Sequence, residues 1–187
     1  MNHTNIHRNA LIAAGAASAL AGFVVQAGVQ PMTTVSEDMW SYPWTADTLV
    51  WIALAWAALH AVAFVGLLGL PRSRGLYVAL AGTAVLLLAE LLSIPIRDVR
   101  TDADAAGGVA AVFGLGTALS AGGLIAVGLR AGGTLRPAAI FSGVALLSVF
   151  ALVSLVGPSI GIALYGLGLI AMGTALEPAP ALREQLA

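Results

Sequence analysis

Long apolar runs broken by short polar intervals dominate this chain of 187 residues. A helix rising about 1.5 Å per residue needs roughly 20 residues to cross some 30 Å of hydrocarbon. Six runs meet or approach that length, covering residues 9–30, 48–70, 75–96, 106–129, 137–156 and 159–176. In lipid each backbone N–H and C=O must find its partner within its own segment, so each run reads as a helix. Pro31, Pro71, Pro95, Pro137 and the Gly157-Pro158 pair stand near the ends of the runs, where a missing N–H or a tight turn stops a helix. The pattern therefore predicts an all-α fold: a single domain, residues 1–187, built as a polytopic transmembrane bundle of six helices. The first run, behind a short polar head carrying Arg8, also has the cationic start and small residues of a secretory signal.

Composition supports the membrane reading. The chain is 59% hydrophobic and 9% charged, with a mean hydropathy of +0.95, whereas soluble domains carry about a quarter charged residues. There is no lysine, and a net charge of -1 leaves no dense basic patch, which argues against a nucleic-acid partner. The absence of cysteine removes disulfides, thiolate catalysis and cysteine metal sites together. Arg8, Arg72, Arg74, Arg130, Arg136 and Arg183 fall on one side of the six spans, against Arg97 and Arg100 on the other. That asymmetry predicts both termini in the cytoplasm of a multi-pass protein of the cell membrane.

Small residues recur at helical spacing. Gly15, Ala19 and Gly22 in the first span, and Gly114, Ala118 and Gly122 in the fourth, form stripes that let helices approach closely. The fourth span should thus be a tightly packed central helix, and Gly- and Ala-rich faces offer a route to a homo-oligomer.

Against this background one residue stands out. Glu90 lies inside an apolar run, and a carboxyl in hydrocarbon costs several kcal/mol, so such residues face a bundle interior, a wet cavity or a partner. Burial disfavours the charged form, which predicts a protonated acid unless a cation reaches it. Thr83, Ser93 and Arg97 share its face at helical spacing, giving a polar stripe toward one surface. The plain alternative is that Glu90 is structural glue, hydrogen-bonded to a neighbouring helix.

Other candidate residues follow from depth. Gln26, Glu90 and Tyr165 each fall five or six residues from the outer ends of their spans, a shared level roughly 9 Å below the surface. His60 lies deeper, one turn beyond Trp56; a lone histidine beside aromatics supports neither a haem nor a histidine metal cage. No cofactor or metal is expected. Trp51 is shallower, and Trp40, Tyr42 and Trp44 belong to the outer loop, residues 31–47, which carries Glu37 and Asp38 and no basic residue. That loop reads either as an aromatic belt at the headgroups or as a lid folded back over the bundle mouth.

The SEDMWSYPWT loop, the mid-membrane Leu59-His60 pair and the LLLAELLSIP segment together resemble small six-span membrane proteins of high-GC actinobacteria. The resemblance covers most of the chain through a few short patterns and implies fold and membrane location only. Three functional classes fit the residues. The bundle binds or passes a small hydrophobic or lipid-like ligand in an outward-facing pocket lined by Glu90, Gln26, Ser93, Arg97 and the tryptophans, with membrane lipid around it. Alternatively, it is an intramembrane enzyme on an isoprenoid or lipid, with Glu90 as general acid and His60 or Tyr165 assisting. That chemistry is similar to that of integral membrane terpene cyclases, whose motifs are not matched here. In the third class it is an assembly subunit packing other membrane helices.

Overall fold

The computed structural model describes residues 3–151 and 158–176. All its regular elements there are helical: α1 (His3–Val24), α2 (Ala46–Leu67), α3 (Arg74–Ser93), α4 (Asp104–Arg130), α5 (Leu135–Ala151) and α6 (Pro158–Ala175). The protein is a helical membrane bundle. Four helices, counting α1 with its continuation to Met32, are long and apolar enough to cross a membrane, and α5 and α6 are shorter apolar helices. The last residues of the expected 137–156 span fall outside the described residues.

Local chemistry sets the helix starts. Thr45 caps α2 by accepting the Thr48 N–H, and Ser73 caps α3 by accepting the Leu76 N–H at 3.1 Å. Asp104 in the first turn of α4 and Arg130 in its last turn complement the helix dipole. Along the membrane-spanning stretches the helices are apolar nearly all round. Leu20, Phe23, Leu88, Leu115 and Leu167 point outward, because hydrocarbon accepts them as readily as the interior does. Trp51 and Tyr77 are exposed near opposite ends of the bundle, where amphipathic rings suit the headgroup level.

Each helix packs against its neighbours in sequence, and α6 closes back onto α1, so the six form a ring. Two seams of this ring depend on missing side chains. A Cβ on Gly15 would stand 2.5 Å from the Gly166 carbonyl oxygen and 2.8 Å from the Ile170 nitrogen, so α1 and α6 touch backbone to backbone. Between α3 and α4, Gly82 faces Ser120 and Gly123 faces Ala79 in the same way. The expected α4 stripe of Gly114, Ala118 and Gly122 does not take part: nothing lies within 4 Å of a Cβ built on Gly114 or Gly122. The packed face is Gly116, Ser120 and Gly123 instead. Both faces of α4 carry small residues every third or fourth position, and their spacing could not distinguish them.

The ring is filled at one end only. Leu11, Leu67, Leu124, Leu169 and Met172, drawn from α1, α2, α4 and α6, are fully buried and meet at the end that carries Arg8, Arg72, Arg74, Arg130 and Arg136. Toward the opposite end, that of Arg97 and Arg100, the packing opens.

Candidate functional site

The opening is a cavity of about 420 Å³. One face of α2 supplies most of a wall, through Leu49, Ile52, Trp56, Leu59, His60 and Ala63, which recur at three- and four-residue steps. Leu86, Glu90 and Ser93 come from α3, Phe113 and Thr117 from α4, Leu146 and Val149 from α5, and Ile162, Tyr165 and Leu169 from α6. From α1 only Ser18 reaches it. The roof is Trp40, Tyr42 and Trp44, so the outer loop folds back over the mouth of the ring.

A hydrogen-bonded clasp holds that roof. Met39 and Arg100 form an isolated antiparallel bridge, with the Trp40 N–H donating to the Val99 carbonyl at 2.9 Å and the Thr101 N–H to the Asp38 carbonyl at 2.7 Å. Arg100 adds ion pairs to Asp102 at 3.2 Å and Asp38 at 3.6 Å. Its pKa is raised by the Asp102 hydrogen bond first, then by the charges of Asp102 and Asp38, so it stays cationic at any physiological pH. The Trp40 ring packs on Phe113 with centroids 6.3 Å apart, tying the loop to α4. Within the loop, Thr33 donates to the Pro43 carbonyl at 2.7 Å and the Trp44 N–H to the Ser41 carbonyl at 2.7 Å. These local bonds satisfy a backbone that has no helix to do so.

The polar groups of the cavity differ in what they have left to offer. The Glu90 carboxyl makes no hydrogen bond and no ion pair with the described residues, and it faces the cavity. The Ser93 hydroxyl donates to the Glu90 backbone carbonyl at 2.6 Å, so it serves its own helix. His60 Nδ1 lies 2.8 Å from the Trp56 carbonyl, which can only accept. Nδ1 therefore carries the proton, and Nε2 is left as the basic nitrogen. Tyr165 is buried and its hydroxyl bonds to none of the described residues. Thr83, two turns below Glu90 on α3, is turned to α4: it donates to the Ala79 carbonyl at 2.9 Å and lies 3.5 Å from the Ser120 hydroxyl. Among the described residues no group of three or more His, Asp or Glu side chains is placed to share a metal ion.

Of the residues expected from the sequence, Glu90, His60, Tyr165, Ser93, Trp40, Tyr42, Trp44 and Trp56 line this one cavity. Three do not. Trp51 is 74% exposed on the outside of α2, one residue from the azimuth of Ile52. Arg97 lies beyond the end of α3, which stops at Ser93; it donates to the Ile94 carbonyl at 3.2 Å and pairs with Asp98 at 3.7 Å. The polar stripe thus ends where the helix does, because Pro95 cannot continue it. Gln26 falls in a π-helical turn, Val25–Val29, followed by a 3₁₀ turn, Gln30–Met32. The wider turn shifts every later azimuth from the α-helical extrapolation, and the Gln26 Oε1 is buried without a hydrogen-bond partner, away from the cavity. Phe113, Thr117 and Ser18 were not singled out by the sequence. Phe113 had a signal in being the lone aromatic of α4; Ser18 and Thr117 are ordinary small residues of membrane helices.

Comparison with known proteins adds no family: no family model, no curated protein and no solved structure matches the chain.

Proposed function

We propose that the bundle is a receptacle for a small hydrophobic or lipid-like molecule that reaches it from the outer leaflet and presents a polar end to Glu90. One observation carries this reading: a carboxyl without a partner among the described residues stands in the wall of an apolar cavity sealed at one end and roofed by aromatic rings at the other. A carboxyl kept at that depth costs several kcal/mol unless something meets it. A volume of about 420 Å³ suits a drug-sized guest, since such sites run from roughly 300 to 1,000 Å³ with few polar groups among many apolar ones. The buried layer of Leu67, Leu124 and Leu169 closes the way to the arginine-rich end, so the arrangement favours holding over passing. Native mass spectrometry of protein extracted without delipidation tests the reading. A co-purifying molecule that Glu90→Gln loses supports it, and a bare mass for the wild-type protein in gentle extraction opposes it.

The enzyme reading has its own support in the meeting of Glu90 with His60 and Tyr165 around one cavity. An acid able to donate a proton and an imidazole Nε2 able to accept one are the two halves of acid-base catalysis. The apolar walls would shield a reactive intermediate from water. Among the described residues no arginine or lysine lines the cavity to hold a diphosphate, so the substrate would be an uncharged isoprenoid or lipid chain protonated at a double bond. Comparing lipid extracts from cells making the wild type and Glu90→Gln separates the two. A product absent from the variant means catalysis, and identical extracts mean binding alone.

A further inference from the structure

We propose that the guest is an organic cation, a lipophilic amine or quaternary ammonium compound whose charged head stands between Glu90 and the aromatic rings of the roof. This deepens the receptacle reading and rests on it.

The charge inventory of the cavity sets the sign. Among the described residues its lining holds one carboxyl and neither arginine nor lysine, and the whole chain is free of lysine. A fatty acid or a phosphate head would bring its charge into apolar surroundings with no cation in the described lining to offset it, and would gain at most one hydrogen bond from a neutral Glu90. A cation finds the reverse. It supplies the partner that Glu90 lacks and relieves the cost of an isolated acid in hydrocarbon.

The rings add a second, independent preference. Trp40, Tyr42, Trp44, Trp56 and Phe113 all line the same cavity, and Trp40 and Phe113 are packed together with centroids 6.3 Å apart. Aromatic faces carry negative potential, and several of them around one desolvated site are how ammonium groups without N–H donors are held. A purely hydrocarbon guest gains nothing from this over the leucines that fill the other end of the ring.

The approach is of the same sign. At the outer end stand Glu37, Asp38, Asp47, Asp98, Asp102 and Asp104, against Arg97 and Arg100. Both arginines are already engaged, Arg97 with Asp98 and Arg100 with Asp102 and Asp38. The mouth is therefore net acidic, and it concentrates cations within about a Debye length, roughly 8–10 Å. The head would sit at the level of Glu90 and the tail would run down toward Leu146 and Leu169.

A pair of isosteres tests the charge alone. Benzyltrimethylammonium and neopentylbenzene share shape, and only the first carries a charge. Binding to the full-length protein in nanodiscs is followed by the emission of its tryptophans, with concentrations referred to the free aqueous ligand. The wild type should bind the cation ~10-fold tighter or more than the carbon isostere. Glu90→Gln and, separately, Trp56→Leu should each remove most of that preference, while changing the affinity for the neutral isostere by no more than about twofold. Two variants guard against one that fails to fold. The double variant Ile52→Phe/Leu59→Phe, which fills the α2 wall, should abolish both. Equal affinity for the two isosteres, both lost in the filled variant, overturns the cation inference and leaves the receptacle standing. Emission unchanged by either ligand, or changed equally in the filled variant, overturns both.

Discussion

Replacing Glu90 by leucine should stabilise the empty protein. If the carboxyl were structural glue, the change would strip a buried hydrogen bond and cost about 1–3 kcal/mol. The Glu90 carboxyl, however, has no partner among the described residues, so nothing is broken by removing it. What remains is transfer. On insertion scales an ionised residue at a helix centre costs about 2.5–3.5 kcal/mol, and leucine contributes about 0.3–0.6 in the other direction. Glu90 faces a cavity and lies one turn from Ser93, where α3 ends, so the lower part of that difference applies and a gain of ~1–3 kcal/mol is expected. At about 2–4 °C per kcal/mol for a chain of this size, the midpoint should rise by roughly 2–12 °C. Because heated membrane proteins often unfold irreversibly, equilibrium unfolding by SDS in mixed micelles is the better measure. A monodisperse Glu90→Leu that unfolds at lower SDS than the wild type refutes the reasoning, since it means that the carboxyl holds the bundle together. The same variant should lose any stabilisation by ligand, so stability and binding move in opposite directions.

Three further outcomes follow. Gly15→Leu should destabilise the α1–α6 seam by about 1–3 kcal/mol, because its Cβ meets the Gly166 carbonyl at 2.5 Å, while Gly122→Ala, with open space around it, should gain up to about 1 kcal/mol in the same SDS titration. Arg100→Ala removes two exposed ion pairs and should leave the unfolding midpoint nearly unchanged, yet speed ligand release in stopped-flow by loosening the clasp over the cavity; Trp51→Phe, on the outside of α2, should leave both unchanged. Glu37→Cys and Gly132→Cys, introduced singly into a chain with no native cysteine, should react with an impermeant maleimide from the outside and from the cytoplasm respectively.

Class, number of helices and depth were legible in the sequence because lipid enforces them: a run that is apolar and about 20 residues long has few other fates, and its ends mark the two surfaces. Depth put Gln26, Glu90 and Tyr165 on one level, with His60 deeper, before any packing was known; Glu90, His60 and Tyr165 line the cavity and Gln26 does not. Direction was not legible. In a soluble helix the apolar stripe points to the core, but here both the interior and the lipid are apolar, so the pattern carries almost no azimuth. Gln26 and Trp51 stand at useful depths and face elsewhere, the first within a π turn that no local residue announces. The small-residue stripe of Gly114, Ala118 and Gly122 and the one of Gly116, Ser120 and Gly123 look alike along the chain, and only α3 lying against the second decides between them. The clasp of Met39 on Arg100 joins segments some sixty residues apart through backbone groups that every residue has, and it is what turns an acidic aromatic loop into a roof. Solvent wrote the first set of features into the composition; the second set exists only once the ring has closed.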